Sequence, residues 1–256
     1  MISQIWKKEM QGELYTWKSM LWLVIVSLLF SFTCYLLLTN KELSLLDQTE
    51  LMLLLGKIII GVALLIVAID ASSIITTEFE KETAESLFLA PILVKDFIIG
   101  KFLSALTLWG LIFVVSLPYI IVSSLGSHLT LVFIGYIALL GTLGIAGIIF
   151  LIFAISLLYR STKNTLTTAL IALIVLATPA FFSSTLKNNS FAQLFSNINP
   201  VDNIFSSLDN VLVDYQLSLL QNWKFLLPLC IFSLLMLGVL VLSVKKFKKQ
   251  GIIKND

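Results

Sequence analysis

The run LTLVFIGYIALLGTLGIAGIIFLIFAISLLY, residues 129–159, decides the fold class, because it continues for 31 residues without a charged side chain. A membrane span needs about 20 apolar residues as an α-helix. At about 1.5 Å per residue, this run is longer than a hydrocarbon core of about 30 Å, so we expect a transmembrane helix that is tilted, broken or protruding. Four glycines within the run favour close packing against neighbouring helices: Gly135, Gly141, Gly144 and Gly147.

The composition extends this prediction to the whole chain. Hydrophobic residues make up 58% of the 256 residues, and the mean hydropathy is +1.00, which indicates a polytopic membrane protein. The apolar runs are long, whereas a β-barrel would show alternating ten-residue strands. We therefore predict one all-α transmembrane domain over residues 1–256. Its six spans are predicted at residues 20–38, 53–75, 102–123, 129–159, 165–182 and 225–244.

The distribution of lysine and arginine predicts the orientation. Thirteen of these residues fall on one side of the predicted spans and three on the other, with Lys57 set aside within the second span. Because positive charge collects on the cytoplasmic side, both termini and the loop at residues 76–103 are expected to be cytoplasmic. The expected location is the cell membrane of a bacterium, as a multi-pass protein. The net charge of +2 is too small to indicate a nucleic-acid partner.

An amphipathic segment precedes the first span. Apolar residues recur at steps of 4, 4, 3 and 4 along Trp6, Met10, Leu14, Trp17 and Leu21. This spacing predicts an interfacial helix over residues 2–18 that lies under the membrane.

A second amphipathic segment, residues 191–214, lies on the predicted outer side. Asn199 can cap a helix there, and Pro200 suits the first helical position. Apolar residues follow at helical spacing: Val201, Ile204, Phe205, Leu208, Val211 and Leu212. The segment is too short to span a membrane, so it should lie in or dip into the outer interface. Phe205 and Leu208, with Asp70 of the second span, are candidate residues of a pathway or gate.

The loop TTEFEKETAESLFLAPILVKDFIIGKFL, residues 76–103, concentrates charge in a chain that is only 12% charged. It contains five carboxylates and three lysines, and Glu78, Glu82 and Glu85 share one helical face. A solvated helical loop would explain the charges alone. The apolar continuation from Leu87 to Leu89 is instead typical of a surface that binds another protein.

The order of residues in this loop resembles the type-2 ABC transporter permease family, the six-helix membrane subunits of ATP-binding cassette exporters. In that family acidic residues follow the second span, then Thr, Glu, Leu and Pro, and a Gly-Lys pair opens the third span. The matching residues here are Glu78 or Glu80, Glu82, Thr83, Glu85, Leu87, Pro91, Gly100 and Lys101. Glu82 replaces a glycine that usually precedes the Thr. The interfacial helix, the six spans and the outer segment also resemble the family.

The resemblance implies a coupling helix, within segment 76–101, that docks on a separate ATPase subunit. The contact residues it implies are Glu78, Glu82, Thr83, Glu85, Ser86, Leu87, Leu89 and Pro91. Further expected partners are a second permease copy or a related permease, and membrane lipids. ATP would be bound by the partner subunit. The 18 phenylalanines and the scarcity of charge favour an amphipathic or hydrophobic substrate, such as a drug, a lipid-linked molecule or an antimicrobial peptide.

Two alternatives remain: an intramembrane lipid-modifying enzyme, and a membrane anchor or receptor subunit without transport. An enzyme would need facing carboxylates or histidines, and Asp70 is the single carboxylate within the predicted spans. The sequence therefore predicts no catalytic, cofactor-binding or metal residues. Gly56-Lys57 and Gly100-Lys101 lack the spacing and the Ser or Thr of a phosphate-binding loop. Lys57 and Asp70 are interpreted as side chains that reach an interface or pair locally.

Overall fold

The computed structural model describes residues 2–14, 17–39, 47–81, 94–181, 190–215 and 217–249. These residues are largely helical, and no strand occurs among them. Six of the helices are long and apolar enough to cross a membrane. The prediction of an all-α, multi-pass membrane protein with six spans is confirmed.

The helices are numbered here in chain order. They are α1 (Ile2–Leu14), α2 (Trp17–Thr39), α3 (Gln48–Ile74), α4 (Thr76–Glu80), α5 (Val94–Ser123), α6 (Thr130–Tyr159), α7 (Thr162–Ala177), α8 (Ser190–Ile198), α9 (Pro200–Leu212) and α10 (Trp223–Lys249). A short 3-10 turn, Thr178–Phe181, continues α7. The spans lie in α2, α3 with α4, α5, α6, α7 and α10. The second span continues past its predicted end at residue 75 to Glu80, and the third begins before its predicted start at residue 102, at Val94. The polar residues in these extensions are compatible with helix.

The long uncharged run forms one helix, α6, without a break over 30 residues. It ends at Arg160, whose φ of 54° lies in the left-handed region that stops a helix. Of the three expectations for this run, a broken helix is therefore wrong. A helix of this length extends about 45 Å.

Glycines let three helices pack closely against α6. A Cβ atom at Gly144 would lie 2.5 Å from Ile204 of α9, and one at Gly147 would lie 2.8 Å from Phe232 of α10. Trp109 of α5 packs against Gly141 in the same way. Gly135 has no such neighbour within 4 Å, so the packing prediction holds for three of the four glycines.

The bundle has two ends, which differ in the elements that meet there. At the α9 end, Gln48 Nε2 donates to the carbonyl oxygens of Ser123 (3.3 Å) and Leu125 (2.7 Å), which ties the start of α3 to the end of α5. At the α1 end, the guanidinium of Arg160 lies 5.2 Å from the ring of Phe247 in the last turns of α10. Helices α1 and α4 also lie at this α1 end.

Of the N-terminal helix predicted over residues 2–18, the described residues up to Leu14 form α1. Helix α1 ends at Leu14, and Trp17 begins α2. Helix α1 packs against α5, where Trp6 Nε1 donates to Thr107 Oγ1 at 3.1 Å. The amphipathic stripe thus includes a contact with the bundle itself, which the spacing alone does not reveal.

The outer amphipathic segment forms α8 and α9, which meet at Asn199. The predicted cap is confirmed, since Asn199 Oδ1 accepts from the backbone N–H groups of Val201 (3.0 Å) and Asp202 (3.2 Å). Helix α9 packs against α3, α6, α7 and α10. Its residues Ile204, Leu208 and Val211 are almost fully buried, so this helix is part of the core.

Candidate functional site

The predicted ATPase-contact residues lie mainly in the segment between α4 and α5. Glu78 lies in α4. The others lie outside the described residues: Glu82, Thr83, Glu85, Ser86, Leu87, Leu89 and Pro91. The described residues next to this segment belong to α4 on one side and to the first turns of α5 on the other.

A buried lysine joins three helices at this point. The Lys101 side chain in α5 is only 2% exposed, and its Nζ lies 2.9 Å from Glu9 Oε1 of α1 and 3.1 Å from Glu78 Oε1 of α4. The same ammonium lies 5.4 Å from the centre of the Phe97 ring. A buried ammonium is costly unless it is paired, so these two ion pairs hold α1 and α4 against α5 at this point.

The neighbouring glycine brings α1 close enough for this ion pair to form. A Cβ atom at Gly100 would lie 2.7 Å from Ile5 Cγ2 of α1. This close approach brings α1 onto α5, where Glu9 meets Lys101. The Gly100-Lys101 pair, which the sequence shows only as part of a motif, thus has two linked roles. Gly100 leaves room for α1, and Lys101 forms an ion pair with Glu9 of that helix.

Glu80 links α4 to the start of α7. Its Oε1 accepts from the backbone N–H of Thr162 at 2.7 Å, and its Oε2 accepts from Thr162 Oγ1 at 2.9 Å. The first N–H groups of a helix have no partner within the helix, and a negative charge is favourable there. The hydroxyls of Thr76 and Thr162 form a further hydrogen bond of 2.8 Å.

Phe79, between these two glutamates, contacts α10. Its ring lies 5.5 Å from that of Phe247, centre to centre, in an edge-to-face arrangement. Three consecutive side chains of α4 therefore reach four helices: Glu78 meets α5 and, through Lys101, α1; Phe79 meets α10; Glu80 meets α7. We name this set the α4 anchor; its members are Glu9, Glu78, Phe79, Glu80, Lys101, Thr162 and Phe247.

The α4 anchor closes the base of the charged loop. The described chain leaves α4 at Lys81 and returns at Val94, at the start of α5. The Glu78–Lys101 ion pair connects these two flanks directly. A displacement of the loop relative to the bundle must therefore act on the anchor.

The predicted pathway residues do not form one site. Asp70 is half-buried in α3 toward the α1 end, whereas Phe205 and Leu208 lie in α9 at the other end. Phe205 lies near Lys57 of α3, 5.9 Å from ring centre to Nζ. Asp70 lies thirteen positions after Lys57, which is about 20 Å along a helix.

A network of buried polar groups at the α9 end was not predicted. Asn210 Nδ2 donates to Asn222 Oδ1 at 2.9 Å, and Asn222 Nδ2 donates to the Tyr136 hydroxyl at 3.2 Å. That hydroxyl donates to the carbonyl of Leu217 at 3.2 Å. The network joins α9, α6 and the start of α10, and no pattern noted in the sequence signals it.

Among the described residues, no group of three His, Cys, Asp or Glu side chains could hold a metal ion. The arrangement at the α1 end consists of charged, hydrogen-bonded and aromatic contacts between helices. Comparison with protein-family models finds none that matches the chain, and comparison with curated proteins finds no matching relative.

Proposed function

We propose that the chain is the membrane subunit of an ATP-driven exporter, and that a separate ATPase subunit binds the segment between α4 and α5. The observation that carries this proposal is the α4 anchor. In it, three consecutive residues at the base of the loop contact three helices directly, α5, α10 and α7, and a fourth, α1, through Lys101. The resemblance of the loop to type-2 ABC permeases adds the identity of the partner.

The α4 anchor suggests how a conformational change of the ATPase would be transmitted to the spans. ATP binding would close a pair of ATPase subunits and push on the loop at residues 82–93. Because α4 is bound to α5, α7 and α10 and faces α1 through Lys101, the displacement would move these helices together. A rocking motion of six-helix bundles would then move the substrate outward.

The substrate we propose is amphipathic or hydrophobic: a drug, a lipid-linked molecule or an antimicrobial peptide. Charge is scarce in the spans, and phenylalanine is abundant, with 18 in the chain. Two copies of the chain, or one copy and a related permease, would form the pathway. The α1 end, where α1 and the last turns of α10 lie, would face the cytoplasm, where ATP is available.

A substitution in the loop tests whether it docks the ATPase. Leu87→Asp should raise the Kd for the ATPase about 30-fold, because an apolar anchor in a partner's groove contributes about 2 kcal/mol. The loss is measured by copurification. Substrate-stimulated ATP hydrolysis in reconstituted membranes should fall as well. Leu220→Asp is the matched control, since Leu220 is 83% exposed at the opposite end. Wild-type copurification and stimulation by Leu87→Asp would refute the docking role.

A second substitution separates docking from transmission. Phe79→Ala removes the ring that meets Phe247 but leaves the loop intact, so the ATPase should still bind while stimulation by substrate falls. Phe79→Leu, which keeps most of the apolar volume, should retain more stimulation. If Phe79→Ala stimulates ATP hydrolysis as the wild type does, α4 does not transmit the conformational change.

A further inference from the structure

A cleft of about 660 Å³ lies between α3, α7 and α9. It follows α3 from Lys57 to Leu65 and α7 from Leu170 to Ala177, and α9 closes it with Val201 and Phe205. Apart from Lys57, the residues that line it are apolar. Clefts that bind small molecules in proteins usually enclose about 300–1,000 Å³, so this one, named here the Lys57 cleft, is large enough for a ligand.

The charge in the Lys57 cleft is confined to one end. The Lys57 ammonium lies 5.9 Å from the centre of the Phe205 ring, and within the described part of the chain it forms no ion pair with a carboxylate. Leu65, at the other end, is eight residues further along α3, or about 12 Å. The cleft therefore offers a cation at the α9 end and an apolar groove below it.

The cleft opens on the side of the bundle. Two of its lining residues, Leu65 and Ile174, are 48% and 69% exposed, and both lie within candidate membrane spans. The open side therefore faces lipid or another membrane helix. In either case the occupant must meet an ammonium within the span, which favours an occupant with an anionic group.

Within its described spans, a second copy of the chain supplies no carboxylate at the depth of Lys57. The two carboxylates of α9 are Asp202, which is buried and accepts a hydrogen bond from Ser196, and Asp209, which is exposed. Along α3, Glu50 lies about 10 Å away on one side and Asp70 about 20 Å away on the other. Helices α2, α6, α7 and α10 contain no Asp or Glu, and in α5 the single one is Asp96 in its first turn. Membrane lipids, in contrast, combine a negative head group with an apolar chain.

We propose that the Lys57 cleft binds an anionic phospholipid of the leaflet at the α9 end, with the phosphate on Lys57 and one acyl chain along α3 and α7. Lys57 lies in the first half of α3, so its flexible side chain can extend toward the head-group region. The Phe205 ring beside the ammonium provides an apolar wall, and its own attraction to the cation is weaker than that of a phosphate.

Native mass spectrometry of the full-length chain in detergent, titrated with dioleoyl phosphatidylglycerol or dioleoyl phosphatidylcholine, tests the proposal. The wild type should bind phosphatidylglycerol more tightly, because the choline group cancels the net charge of the other lipid. Lys57→Met should weaken the binding of phosphatidylglycerol about tenfold, as expected for the loss of one charged hydrogen bond. Lys224→Met is the matched control, since Lys224 also lies over a phenylalanine ring, 5.0 Å from Phe225, but outside the cleft.

A second variant fills the groove without changing the charge. A Cβ atom at Gly61 would meet nothing within 4 Å, so Gly61→Leu should fold and place its side chain in the space for the acyl chain. Binding of both lipids should fall. Gly135→Leu is the control, because Gly135 has equally free surroundings but lies on α6, outside the cleft.

Three results would overturn the proposal. One is equal binding of phosphatidylglycerol by Lys57→Met and the wild type. Another is unchanged lipid binding by Gly61→Leu. The third is a change in oligomeric state by Gly61→Leu with lipid binding retained, which would make the cleft an interface between copies of the chain.

Discussion

Removal of the ammonium at the centre of the α4 anchor should destabilise the α1 end of the bundle. In Lys101→Met, the Glu9 and Glu78 carboxylates would face each other without their shared cation. Loss of one partner from a buried ion pair typically costs about 3–5 kcal/mol. The side chains of Glu9 and Glu78 are 14% and 22% exposed, so water can relieve part of the penalty, and we expect the lower figure, about 3 kcal/mol.

Thermal unfolding in lipid nanodiscs measures this loss. For a chain of this size, about 3 kcal/mol corresponds to a decrease in Tm of roughly 6–12 °C. Lys95→Met is the control, because Lys95 is exposed in the first turn of the same helix, and a surface change of this kind stays within about 0.5 kcal/mol.

Neutralisation of the two carboxylates should restore stability. With Glu9→Gln and Glu78→Gln added to Lys101→Met, no buried charge is left unpaired, and we expect recovery of at least about 1 kcal/mol. The reasoning fails if Lys101→Met unfolds at the wild-type temperature. It also fails if the triple variant is no more stable than Lys101→Met alone.

Three further outcomes are expected. Gly100→Leu should destabilise the protein by about 1–3 kcal/mol, because it forces α1 away from α5. Gly110→Leu, whose added Cβ meets no atom within 4 Å, should fold normally. Equal unfolding temperatures of the two variants would contradict this. Asn222→Ala should cost about 1–3 kcal/mol in thermal unfolding, since its buried partners lose their hydrogen bonds, and an unchanged Tm would show that water replaces them. In a variant without native cysteines, an impermeant thiol reagent added outside intact cells should label Leu220→Cys but not Lys249→Cys, and the reverse pattern would invert the topology.

The spans could be predicted from the sequence because their signal is local. Each span is a run of apolar residues whose length alone distinguishes it from a loop, as in residues 129–159. The cap at Asn199 was equally accessible, since an N-cap depends on the next three residues. The unbroken course of α6 could not be deduced, because a run longer than the hydrocarbon core can tilt, break or protrude, and its length does not distinguish these.

The α4 anchor could not be predicted because its contacts connect distant parts of the chain. Glu80 binds Thr162, 82 residues away, and Lys101 binds Glu9 on a different helix. The sequence shows which residues are charged or polar. Which of them form pairs depends on how α1 and α7 pack against the other helices. Lys57 illustrates the same limit, since the interpretation as a lysine that reaches the interface did not reveal the cleft beside it.

The ion pair at the base of the charged loop has a consequence for variation in that loop. Glu78 and Lys101 fix both ends of the intervening chain to the bundle. The entropic cost of closing a loop rises slowly with its length, by about 0.6 kcal/mol for each doubling. Residues 82–93 could therefore be lengthened or exchanged while the bundle keeps its packing. Under the proposed function, the choice of ATPase and the stability of the bundle can in this way change independently.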